Sequence, residues 1–172
     1  MFRDFHHGLL GFVNGDVRAS LGSGGIRAWE IAGRFRANSG SGDVTLDQTA
    51  AADVRVSSAS GNIVLKNVRG LVHAKTASGS ISAQGGGREP WRLETISGDV
   101  TVRVPPDLGF ELHAHTVSGN ISTTRPLTLQ GGASHREITG KAGNGGFLLE
   151  VSTVSGNAHI DWIPAPKPLL PH

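Results

Sequence analysis

Apolar and polar residues alternate along this chain in short blocks, and the same block keeps returning. Val44-Thr45-Leu46-Asp47 reads apolar, polar, apolar, polar, and its counterpart one period later is Ile63-Val64-Leu65-Lys66. Such alternation marks a strand with one buried face. Each block follows a Ser-Gly pair: Ser41-Gly42, Ser60-Gly61, Ser78-Gly79, Ser97-Gly98, Ser118-Gly119 and Ser155-Gly156. Over the first five, the pairs recur about every nineteen residues. An internal period of this length belongs to stacked repeat folds, in which each unit buries its apolar face against the next.

Glycines also fall at half that spacing, at Gly15, Gly24, Gly33 and Gly42. Each turn of the chain therefore holds two short strands. With the repeated Gly as origin, four apolar rows emerge. Val44, Ile63, Ile81, Val100, Ile121 and Ala158 stand two after it; Leu46, Leu65, Ala83, Val102, Thr123 and Ile160 stand four after it. Ala37, Val56, Ala74, Leu93, Ala114 and Val151 stand five before it; Phe35, Val54, Val72, Trp91, Leu112 and Leu149 stand seven before it. These rows face inward and stack along an axis at the hydrogen-bonded strand spacing of ~4.8 Å. A chain that keeps coiling one way gives parallel strands with right-handed crossovers. The expectation is an all-β fold: a single-stranded, right-handed parallel β-solenoid of about eight coils, stacked in chain order, two strands per coil.

Gly119 and Gly156 lie two periods apart, so a degenerate coil is expected around Ile138-Thr139-Gly140-Lys141. Loops are expected at Gly85 to Pro90, Pro105 to Leu108 and Arg125 to His135. The solenoid is assigned residues 1–163. Within it, residues 1–13 form a cap over the first coil, because Phe2, Phe5, Leu9, Leu10, Phe12 and Val13 are the densest apolar cluster. Residues 164–172 are a Pro-rich tail that cannot join a ladder. With both ends closed, the expected state is a monomer or a weak end-to-end dimer.

Composition narrows the function. The 172 residues include 25 Gly and no Cys, so zinc-thiolate sites, disulfides and thiol catalysis are excluded. A net charge of +2 is too weak to argue for nucleic acid, and none is expected. No run approaches the length of a membrane span. The opening Met1 to His7 shows no apolar core or cleavage site, so no signal peptide is visible in this chain.

The Ser-Gly-Asp/Asn-Val/Ile repeats resemble the bacterial β-strand-repeat family of Toastrack domains, also labelled adhesins. The closing run from Gly143-Asn144-Gly145-Gly146 through Leu149-Glu150-Val151-Ser152-Thr153-Val154-Ser155-Gly156-Asn157 is the most specific part, and His113 to Gly119 is in character. The likeness covers roughly Gly15 to Trp162. It implies a β-solenoid on the outer side of a bacterial membrane and supplies no catalytic residues. Its implied role is a non-enzymatic binding or scaffold module of the cell envelope. A self-associating filament and a carbohydrate-active enzyme are the alternatives.

Asp43 and Asp99 share an aligned turn position three coils apart, about 14 Å at strand spacing, too far for the ~5–9.5 Å of paired-carboxylate hydrolysis. Only two of six aligned turns carry Asp, which is poor for calcium. His113 and His115 have metal-ligand spacing on one strand face, but Arg92 separates them from His73 in a chain-order stack, and no metal or cofactor is expected. The sharper candidate is the row six before each Gly: Arg36, Arg55, His73, Arg92 and His113, with Lys75 and His115 two residues further on. Its ligand would be an anionic envelope polymer, a lipid head group or a surface protein, because Arg suits phosphate and carboxylate. The plainer reading is a solvated ladder compensated by Asp53, Glu94 and Glu111.

Overall fold

In the computed structural model, which describes residues 2–4, 8–13, 15–48, 52–85, 89–104, 109–123, 128–129, 136–142 and 146–162, each repeat folds as two strands joined at the Ser-Gly corner. The strands are β1 (Phe2–Asp4), β2 (Gly8–Val13), β3 (Val17–Ser23), β4 (Ile26–Ile31), β5 (Phe35–Ser41), β6 (Val44–Gln48), β7 (Val54–Ser60), β8 (Ile63–Val68), β9 (Val72–Ser78), β10 (Ile81–Gly85), β11 (Trp91–Ser97), β12 (Val100–Val104), β13 (Phe110–Ser118), β14 (Ile121–Thr123), β15 (Thr128–Leu129), β16 (Glu137–Ala142), β17 (Phe147–Ser155) and β18 (Ala158–Trp162). Among the described residues there is no helix, and so none long and apolar enough to cross a membrane. The fold is the expected β-solenoid. A ten-stranded sheet runs β1-β3-β5-β7-β9-β11-β17-β13-β16-β15, and an eight-stranded sheet runs β14-β18-β12-β10-β8-β6-β4-β2.

The corner explains the motif. Gly98 has φ +144°, and a Cβ there would sit 2.0 Å from the Gly79 carbonyl oxygen of the neighbouring coil. Only glycine permits both the dihedral and the approach. The following Asp or Asn joins coils: the Asn62 N–H donates to Asp43 Oδ1 at 2.9 Å, and the Ser80 N–H to Asn62 Oδ1 at 2.9 Å. A further inward row, three before the Gly, is polar yet buried. Thr76, Thr95, Thr153 and Thr116 each donate a hydroxyl hydrogen bond to a corner carbonyl, of Gly61, Gly79, Gly98 and Gly156 respectively. A buried hydroxyl needs such a partner, and the corner carbonyl supplies it to these four Thr, whereas the buried Ser39 and Ser58 hydroxyls of the same row have none among the described residues.

The four apolar rows are buried as expected, from Phe35, Trp91 and Leu149 to Val44, Ile63, Ile81 and Val100. Their order is not the chain order. The last coil, β17–β18, lies between the β11–β12 coil and the β13–β14 coil: Trp91 pairs with Leu149, which pairs with Leu112, and Val100 pairs with Ala158, which pairs with Ile121. The corner bonds agree, because the Asn157 N–H donates to Asp99 Oδ1 and the Asn120 N–H to Asn157 Oδ1. Phe147 joins the two halves, with its ring centroid 5.3 Å from Trp91 and 6.0 Å from Phe110.

Two further expectations differ from the structure. The segment around Ile138 to Lys141 is not a hidden parallel coil: β16 runs antiparallel to β13, with Ala114 opposite Ile138 and Leu112 opposite Gly140. That reversal covers the outer edge of β13 and lets the chain return to the inner edge as β17. The expected loop from Arg125 to His135 contains β15, which pairs antiparallel with β16. Residues 86–88, 105–108 and 163–172, the core of the other expected loops and the tail, lie outside the described residues.

At the other end, β1 pairs in parallel with β3 and β2 with β4. The N-terminal segment thus extends each sheet by one strand, and the three-residue β1 leaves a shorter edge than the seven-residue β3 behind it. An uncovered strand edge is a template for another chain. Deleting residues 1–13 is expected to promote association detectable by light scattering; a truncated protein as monodisperse as the intact one would rule out this protective role.

Candidate functional site on the ten-stranded sheet

Alternation sends every second side chain of the odd-numbered coil strands outward. Parallel register then aligns these side chains across the sheet, and the row six before the corner Gly reads Arg18, Arg36, Arg55, His73, Arg92, Glu150, His113. The row four before reads Ser20, Asn38, Ser57, Lys75, Glu94, Ser152, His115.

The sequence-derived cluster therefore divides in two. Arg36, Arg55, His73 and Lys75 come together with Asn38, Val56 and Ser57 around a shallow groove of about 200 Å³. Arg92 does not belong to it electrostatically. Its Nε donates to Glu150 Oε2 at 3.1 Å, and its Nη2 lies 3.0 Å from the same oxygen. His113 is the cross-strand neighbour of Glu150 and lies 3.3 Å from Glu111 Oε1. His115 stands opposite Glu137 and, with His113, Glu137, Thr139, Glu150 and Ser152, borders a separate depression. His73 Nε2 lies 3.4 Å from Glu94 Oε2 at the boundary between the two halves.

Among the described residues, Arg18, Arg36 and Arg55 make no ion pair. Like charges directly opposite one another on neighbouring strands are destabilising. Three exposed guanidiniums in register thus leave an uncompensated positive ladder, which is the arrangement that an anion relieves. The expected compensation by carboxylates holds for the C-terminal half of the row and not for this half.

Sequence reasoning missed Arg18 and Glu150, although both were accessible to it: each stands six before a corner Gly, Gly24 and Gly156. Extending the alignment one coil in each direction would have found them. Glu150 could not have been placed between Arg92 and His113, because only the intercalated coil order puts it there. Among the described residues, no group of three or more His, Asp or Glu is arranged to hold a metal ion. The turn carboxylates Asp43 and Asp99 accept backbone hydrogen bonds from the next coil, which is a structural use.

The Toastrack DUF4097 family model matches residues 13–161. No protein of curated function matches the chain. Among solved structures, the chain is similar to a candidate cell adhesion protein from Clostridium sporogenes at 14% identity, with a TM-score of 0.36, covering 86% of this chain and 55% of that one. The chain thus spans about half the length of that protein, and a likeness this loose carries no functional argument.

Proposed function

The chain belongs to the Toastrack DUF4097 family, and on that premise we propose that it is a non-enzymatic, adhesin-like binding module of the bacterial cell envelope that holds anionic groups in the Arg36, Arg55, His73 and Lys75 groove. The observation that carries this reading is the uncompensated Arg18, Arg36, Arg55 ladder beside a groove. Arg presents a planar fork that meets carboxylate or phosphate through two bonds at once. The solenoid holds successive forks one strand spacing apart, so the ligand finds them already aligned.

The test is retention on an anionic matrix as salt rises. Screening shortens the Debye length to ~8 Å at 0.15 M, so retention is expected to fall steeply. Arg36→Gln with Arg55→Gln should lower affinity about tenfold or more, since charge-assisted bonds contribute ~1.5–3 kcal/mol each. Arg92→Gln should change it little, because Arg92 is already engaged by Glu150. Unaltered retention in the Arg36/Arg55 double variant would return the row to a plain solvated ladder.

A further inference from the structure

Resting on the anionic-groove reading above, we infer the class of ligand: a linear acidic polysaccharide lying along the solenoid axis across β3, β5, β7 and β9. Three outward rows run side by side there. The first is cationic: Arg18, Arg36, Arg55 and His73. The second hydrogen-bonds: Ser20, Asn38 and Ser57, ending at Lys75. The third, two before the corner Gly, is small: Gly22, Gly40, Ala59 and Ala77, all exposed. A chain of acidic sugars has the matching three features. Its carboxylates meet the guanidiniums, its ring hydroxyls meet the Ser and Asn side chains, and the apolar face of its rings approaches a shelf with no side chain larger than a methyl.

The shelf separates this ligand from a lipid surface. The cationic sites repeat at ~4.8 Å, and Arg18 to His73 spans three steps, about 14 Å. A bilayer surface would call for large apolar side chains beside the cations. The large ones in the third row are Ile96, Val154 and Val117, and they are confined to β11, β17 and β13, where the charges are already paired.

The experiment is calorimetric titration of the full chain with 1,4-linked galacturonate of one, three and six units, alongside polyglutamate, phosphatidylglycerol vesicles and inorganic phosphate. Affinity is expected to climb at least about tenfold from monomer to hexamer as successive charge-assisted bonds form. Asn38→Ala with Ser57→Ala should weaken the hexamer about tenfold and phosphate by much less, because the sugar hydroxyls are the main users of that row. Equal affinity for monomer and hexamer, with dependence on Arg36 and Arg55 retained, would overturn the polysaccharide inference and leave the anion groove standing. Tighter binding of polyglutamate or vesicles would likewise reassign the ligand. Failure of every anion to bind would overturn both readings.

Discussion

Val100→Asp is expected to destabilise the molecule strongly, whereas Thr101→Asp, one residue along, is expected to be mild. Val100 is fully buried between Ile81 and Ala158 in the eight-stranded sheet. A carboxylate there would find only apolar neighbours in its row, and an unpaired buried charge costs ~3–5 kcal/mol. That is a large share of the ~5–15 kcal/mol by which domains are stable. For a chain of this length the melting temperature should fall by about 10 °C or more. Thr101 points the other way, between the outward Ser82 and His159, where a polar substitution costs about 0.5 kcal/mol. Thermal denaturation followed by circular dichroism would measure both. Equal melting shifts would refute the assigned inward and outward faces.

Phe147→Ala tests the order of the coils. In a chain-order stack, Phe147 would belong to the terminal coil, and its loss would fray one end. In the observed order it sits inside the stack, fully buried and in ring contact with both Trp91 and Phe110. Removing a buried Phe costs ~3–5 kcal/mol, the lost transfer energy plus the cavity. The loss should therefore appear in a single cooperative transition and should quicken hydrogen exchange in β11 as well as β13. If exchange quickens only in β17 and β18 while β11 remains protected, the intercalated order is wrong.

The same coil order decides the character of the outer surface. Inserting β17 places Glu150 beside Arg92 and separates a neutralised C-terminal half of the row from the uncompensated Arg18, Arg36, Arg55 half. Had β13 followed β11 directly, Arg92 and His113 would have been neighbours and the positive line would have run unbroken. A single topological choice thus sets the length of the candidate binding surface.

The two strands per coil, the inward rows and the glycine corners were legible in the sequence because they rest on local physics. Alternation dictates which face is buried, and a positive φ beside a neighbouring carbonyl admits only glycine. The Thr row shares the parity of the inward rows, but what satisfies its buried hydroxyls, the carbonyls of Gly61 and Gly79 on the neighbouring coil, was not legible. Arg36, Arg55, His73 and Lys75 were readable as one face by counting from the corner. Their groove, and the separation of Arg92, His113 and His115 from it, were not. Repeats with the same inward pattern can stack in more than one order, since every coil presents nearly the same edge to its neighbours. Here the antiparallel pairing of β16 with the outer edge of β13 leaves the inner edge to β17, and in that arrangement Phe147 packs against both Trp91 and Phe110. The repeat thus determined what each coil is, and long-range edge pairing and ring packing, invisible to periodicity, decided where the last coil goes and which charges it meets.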